Sequence, residues 1–361
     1  MNYFIIVLFL IGTAAIGMLS GGKQKNVKDY FLGAKSVPWW AVCFSIVAAE
    51  TSTLTFISIP GLAYLTNLNF LQVTAGYLIG RIFISIYLLP KYYEGNLVTA
   101  YEFLEIRFGR KTRSFASIVF LFTRTAADGV RLFATAIPLK LMLGISYPLA
   151  IVIIASVTLL YTTTGGLKGV IWVDVMLMFI YLGGAILAGV FLLNSYIPGG
   201  WDQVVAEAGN KLEIINLGFS GGLSEFFTHP YTLISGLLGG AFLSMASHGT
   251  DQLIVQRLLS TKNLKDGRKA LIGSGIIVNL QFVIFLLVGV MLYTYYGPLN
   301  LKSDEIFPKF IIEMIPAPYS GIIIAGLFAA AMSTLAGSIS SLSSSSMMDL
   351  YKPFKGALKF D

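Results

Sequence analysis

The chain has 361 residues, 56% hydrophobic and 12% charged, and its apolar runs repeatedly reach the roughly 20 residues that cross a bilayer as helix. Its net charge of +7 would suggest nucleic acid in a soluble domain, but the basic residues sit in short segments between apolar runs, which argues against that partner and for a chain oriented in a membrane. The single cysteine, Cys43, lies in an apolar run and cannot form an internal disulfide, so it carries no redox or metal signal.

Residues 2–20 form the first apolar helix. No basic stretch precedes it and no small-residue cleavage site follows, so it reads as a retained leading span. Further spans are predicted over 38–65, 68–90, 114–143, 147–163, 170–194, 231–259, 270–296 and 319–347, making an all-α polytopic membrane protein of about nine transmembrane helices. The segments 196–230 and 298–318 are rich in Pro, Gly, Asn and acidic residues and read as solvated outer loops with room for short amphipathic helices. "SSLSSSS" (340–346) is low in complexity but lies in an apolar context and is read as helix. With the N-terminus outside, eighteen of the 25 Lys and Arg residues fall on inner segments and four on outer ones, leaving Arg81, Arg124 and Arg131 within the membrane. That bias predicts a multi-pass cell-membrane protein with its N-terminus outside and the lipid bilayer as its solvent.

Polarity enters the membrane in three places. "AAETSTLTFISIPG" (48–61) places Glu50 and five hydroxyl side chains in an apolar span and ends on Pro60-Gly61, which predicts an unwound segment with the helix ended or kinked at the Pro-Gly pair. Unwound backbone survives at membrane depth only where it lines a cavity or is buried in protein, and a freed carbonyl can face an ion. The alternative is that the hydroxyls bond back to carbonyls one turn earlier. "SMASHGTDQLIVQR" (244–257) interrupts a second span, and paired interruptions in the two halves of a chain point to a transporter binding site. In "AGLFAAAMSTLAGSISSLSSSS" (325–346) the small residues permit close helix contact, and Ser333 and Thr334 add hydroxyl oxygens suited to a small alkali cation.

The remaining intramembrane charges have structural readings. Arg124, Asp128 and Arg131 share one helix face, pair with one another and read as a structural network. Glu50 has no basic residue within a turn; it stays protonated, pairs with Arg81 or Arg131, or neutralises a cation directly, so a cation or proton role is open. Asp251 is placed to cap the helix that follows it. His248 is either a substrate contact or a structural donor.

Five stretches in order, "AAETSTLTFISIPG", "FLQVTAGYLIGR" (70–81), "YTTTGGLKGVIWVDV" (161–175), "HGTDQLIVQRLLS" (248–260) and "AAAMSTLAGSISSLSSSSMMDLYKP" (329–353), resemble the sodium:solute symporter family through essentially the whole chain. The resemblance implies a LeuT-like inverted repeat and sodium-coupled symport of a small organic solute by alternating access, with Na+ as coupling ion and no enzymatic chemistry. It implies a sodium ion held by the carbonyls of Ala48, Thr51 and Ala330 and the hydroxyls of Ser333 and Thr334. Asp174 matches a carboxylate below that ion that helps it leave, with Val173 in place of a usual threonine. Ala336 and Gly337 stand where some members have two serines for a further sodium, which implies one ion per cycle. Positions that carry sugar-binding groups in sugar carriers are Thr55, Thr74 and Ser244 here, and Ser247 and His248 replace an aromatic pair. These five are the expected substrate-cavity residues, and a hexose is not favoured.

On this resemblance residues 1–361 are one transmembrane transporter domain: a leading helix at 2–20, a first five-helix repeat at 38–194 and the first three helices of a second repeat at 231–347. The last two core helices of the family fold are missing, so the domain is expected to be incomplete. The rival expectation is a sodium- and ligand-sensing regulatory membrane module, or a non-transporting fragment of a longer protein. Neither the solute nor an oligomeric state is readable from the sequence.

Overall fold

The computed structural model of the chain describes residues 2–95, 97–219 and 231–357. Apart from one isolated bridge between Val37 and Thr261, the regular structure of these residues is helical. In chain order the helices are α1 (Asn2–Ser20), α2 (Val27–Leu32), α3 (Trp39–Glu50), α4 (Thr53–Leu65), α5 (Phe70–Tyr87), α6 (Leu89–Glu94), α7 (Glu102–Phe108) and α8 (Arg110–Leu143). They continue with α9 (Tyr147–Phe191), α10 (Gly200–Ala208), α11 (Leu233–Gly249), α12 (Gln252–Leu259), α13 (Leu264–Tyr296), α14 (Ser303–Glu313), α15 (Tyr319–Ser345) and α16 (Lys352–Ala357).

Burial follows the logic of a chain dissolved in lipid. Leu19 and Phe122 are more than 80% exposed, whereas Arg81 and Asp174 are fully buried. Apolar side chains can face hydrocarbon at no cost, but a charge or an unpaired backbone group there is expensive, so polarity collects inside the bundle. By length and apolarity Asn2–Ser20, Phe70–Tyr87, Tyr147–Tyr196, Leu264–Tyr296 and Tyr319–Phe354 are each able to cross a bilayer, and α3 with α4 would make one further, bent span.

Every window predicted as a span falls on helix, with three differences in detail. The windows 147–163 and 170–194 are one continuous run, α9, kinked at Gly166 (φ 57°, ψ −164°), a conformation open to glycine because it has no Cβ. The window 114–143 lies in α8, whose mid-helix Arg124, Asp128 and Arg131 make it more polar than the others. Pro60-Gly61 does not end the helix: α4 runs through it to Leu65, and the break lies earlier, at Thr51-Ser52, where the chain bends by 69°. The pair serves packing instead. A Cβ on Gly61 would lie 1.8 Å from the Ser303 carbonyl oxygen, so only glycine admits α14 this closely, and the Pro60 carbonyl rests on Gly289 of α13.

The predicted outer loops carry α10 and α14 as short helices; residues 220–230 lie outside the described residues. The serine-rich stretch is helical, closing α15.

Candidate functional site

Each hydroxyl at the first break has a local task. Thr51 ends α3 by donating its hydroxyl to the Val47 carbonyl (2.8 Å), Ser52 caps α4 by accepting from the Thr55 amide (3.3 Å), and Thr53 donates to the Leu327 carbonyl on α15 (3.1 Å). Back-bonding and unwinding are therefore both present. Among the described residues no backbone amide bonds to the carbonyls of Ala48 or Thr51, and both residues are buried. Buried acceptors without donors are costly unless something else takes their lone pairs.

The break is stitched to α9 and α15 on both sides. Toward α3, Asp174 of α9 accepts from Ser45 (2.5 Å) and from Ser333 of α15 (2.6 Å); toward α4 stands the Thr53–Leu327 bond. Ser333 spends its proton on Asp174, and Thr334 spends its own on the Ala330 carbonyl (3.1 Å), so both hydroxyl oxygens keep lone pairs for a cation. Ala330, Ser333 and Thr334 are buried, as is Asp174. The expected ion-ligand residues of α15 thus lie on a helix joined to the break through Asp174 and through the Thr53–Leu327 bond.

The second break repeats the local grammar of the first. Thr250 ends α11 by donating to the Ala246 carbonyl (2.9 Å), and Asp251 caps α12 through the Leu253 amide (2.9 Å), as expected for Asp251. Beside it lies a cavity of about 230 Å3 lined by Glu50, Tyr77, Arg124, Arg131, Ser244, Ser247, His248 and Asp251, among others. Of the expected cavity residues, Ser244, Ser247 and His248 are there together with Glu50. Thr55 and Thr74 are not: Thr55 bonds Ser52, and Thr74 clamps α5 to α13 through Asn279 (2.8 Å).

The ionic groups around the cavity are unequally satisfied. Glu50 is bonded by Arg81 and by His248 Nε2 (3.3 Å), while His248 Nδ1 meets Ser247 (2.8 Å). Arg124 joins Asp128 (3.1 Å), Asp251 (3.3 Å) and Ser338 (2.9 Å), tying α8 to α12 and α15. This is the structural network expected of the triplet. Arg131 departs from it: its side chain is 43% exposed, its nearest carboxylate oxygen, on Asp128, is 3.7 Å away, and its guanidinium makes no hydrogen bond among the described residues. The hydroxyl of Ser244 is buried on the cavity wall and has no hydrogen-bond partner among the described residues. A smaller space of about 20 Å3 is lined by Ser52, Thr53, Asp128, Arg131 and Thr334, the last an expected ion ligand, so Arg131 borders both spaces.

Two cations that the charge pattern places in inner loops are in fact buried. Arg257 reaches Asp174 (2.9 Å), and Arg113 is held by Glu102, Glu105 and Asp349. Loop position does not reveal this burial, since a carboxylate from far along the chain, Asp174 for Arg257 and Asp349 for Arg113, takes part in each.

The profile of the Sodium:solute symporter family matches residues 30–358. A sodium/sialic acid symporter of Proteus mirabilis is 30% identical over 97% of this chain and 71% of its own length, and another from Aliivibrio fischeri is 30% identical over 98% and 70%. A solved structure described as the substrate-bound outward-open state of a Na+-coupled sialic acid symporter superposes with a TM-score of 0.87 at 28% identity, covering 97% of this chain and 74% of that one. With two broken helices and a polar cavity beside them, the chain belongs to the sodium:solute symporter family: it is a multi-pass membrane transporter of a small solute, with sodium as coupling ion, and not an enzyme.

Proposed function

We propose that the chain carries a small carboxylate-bearing solute, inward with sodium, through the cavity between its two broken helices. Sodium binds the carbonyls of Ala48, Thr51 and Ala330 and the hydroxyls of Ser333 and Thr334. The solute carboxylate meets Arg131, and Ser244, Ser247 and His248 contact the rest of the molecule. The observation that carries this reading is Arg131, a guanidinium open to the cavity with no hydrogen bond among the described residues and only a 3.7 Å approach to Asp128. The names of the similar symporters, which carry sialic acid, support the same chemical class. The basic inner segments support an N-terminus outside, and the matching grammar of the two breaks supports an inverted repeat with halves at 38–194 and 231–347.

Coupling follows from charge. Arg81, Arg124 and Arg131 balance Glu50, Asp128 and Asp251, so an anion entering the cavity needs a cation of its own, and sodium supplies it. Because Arg131 borders the space that Thr334 also lines, each ligand favours the other, a reciprocal free energy. Opening on alternate sides of the bilayer then moves both together.

Uptake of sialic acid into proteoliposomes along a sodium gradient tests the reading, with glucose as neutral control. Sialic acid accumulates in sodium and not in choline, and Arg131→Ala weakens its apparent affinity about tenfold or more, the worth of a charge-assisted hydrogen bond. Preference for glucose, or uptake indifferent to Arg131, contradicts it.

A further inference from the structure

The inner half of the second broken helix is held by more polar bonds than packing requires. Every residue of α12 is buried. Gln252 donates to Ser344 of α15 (2.9 Å) and to the Val98 carbonyl (3.2 Å), and it accepts from the Ala100 amide (2.8 Å). One turn on, Gln256 donates to Ser340 (3.2 Å) and to the Phe31 carbonyl (2.9 Å). The serine-rich end of α15 thus forms a ladder: hydroxyls spaced by four on one helix meet amides spaced by four on the other, and helical residues at that spacing share a face.

Arg257 ends the ladder. Its guanidinium donates to Asp174 Oδ2 (2.9 Å), to Ser45 (2.8 Å) and to the Leu253 carbonyl (2.8 Å). The other oxygen of the same carboxylate accepts from Ser333. The space for this guanidinium exists because residue 337 on α15 is glycine: a Cβ there would lie 2.7 Å from Nη2 and 2.9 Å from Nη1. Arg257 is only 1% exposed, and a buried charge persists only against a partner.

We infer that Arg257 is the latch of the inner gate: its guanidinium holds the carboxylate on which a sodium ion leaving Ser333 lands, Gly337 gives it the clearance to do so, and opening exchanges the guanidinium for the ion. The inference rests on the proposed sodium site, of which Ser333 is a part. Arg257 is a positioning residue and does not touch the solute. When α12 withdraws, the Gln–Ser ladder exchanges its bonds for water, so the gate opens without stranding polar groups.

The test is efflux of radioactive sodium from preloaded proteoliposomes without solute, for the full chain, Gly337→Ala and Arg257→Lys. Gly337→Ala keeps every charge but crowds the guanidinium, and Arg257→Lys keeps the cation but loses the bond to Ser45. Both raise efflux, Gly337→Ala by about tenfold, the ratio that a one-decade shift in the gate's equilibrium gives, and adding Ser333→Ala abolishes the increase. Unchanged efflux in both variants, while sodium still raises their thermal midpoints, overturns the latch alone; an increase that survives Ser333→Ala also overturns it. Absence of a sodium-induced midpoint shift in the unsubstituted chain overturns the sodium site and the latch with it.

Discussion

The two helix breaks are built alike and surrounded differently. At Thr51-Ser52 and at Thr250-Asp251 a threonine closes the first half-helix by bonding back one turn, and the next residue caps the second half. The caps differ: a neutral serine stands at the first break, an aspartate paired with Arg124 at the second. The freed carbonyls differ as well. Gly249 gives its carbonyl to the Tyr92 hydroxyl (2.7 Å), whereas those of Ala48 and Thr51 accept no amide among the described residues. Unclaimed carbonyls at the first break suit the proposed sodium site, and the claimed carbonyl and charged cap at the second suit a wall for a polar solute.

Substitutions at the two breaks separate these roles. The largest effect is expected from Glu50→Ala, which strands the fully buried Arg81. Removing one partner of a buried pair costs about 3–5 kcal/mol, read as a lower unfolding midpoint in detergent with or without sodium. Arg131→Ala, by contrast, leaves the fold intact and lowers solute affinity by about 1.5–3 kcal/mol, while the midpoint shift produced by sodium alone is retained. Calorimetric titration of sialic acid at fixed sodium reads that difference, and equal losses of sodium and solute binding would merge the two sites into one.

Smaller effects sharpen the contrast. Tyr92→Phe frees the Gly249 carbonyl at a cost of about 1 kcal/mol and creates no new sodium dependence, because one freed carbonyl beside the Arg124–Asp251 pair does not make a cation site. Ser52→Ala and Asp251→Ala each remove a cap worth about 1 kcal/mol. Only Ser52→Ala is expected to weaken sodium binding, by loosening the bend that presents Thr51, and sodium titration of the thermal midpoint distinguishes the two.

Much of this was legible because lipid makes polarity conspicuous. Glu50 and a hydroxyl run inside one apolar span, and His248 to Asp251 inside another, marked both breaks, and Asp251 was recognisable as a cap from its place before an apolar helix. The position of the first break was not. Pro60-Gly61 looks like a helix end from local propensity, but α13 and α14 pack on its backbone and hold it helical, so tertiary contact overrides the missing amide. That Thr55 and Thr74 make their bonds away from the cavity was not legible for a related reason: a threonine in a membrane helix can face a cavity, its own backbone or a neighbouring helix, and sequence does not say which. Arg257 and Arg113 were hidden because burial of a cation depends on carboxylates that the fold brings from far along the chain.

The most direct test of the central claim, that the first break and α15 together hold sodium, is the thermal unfolding midpoint of the purified chain in sodium against choline at equal ionic strength, with Ser333→Ala plus Thr334→Ala alongside. A ligand at a hundred times its Kd stabilises the folded state by about 2.7 kcal/mol. The account predicts a sodium-specific rise in the unsubstituted chain and its loss in the double variant. A rise of equal size in both proteins would place the ion elsewhere and contradict it.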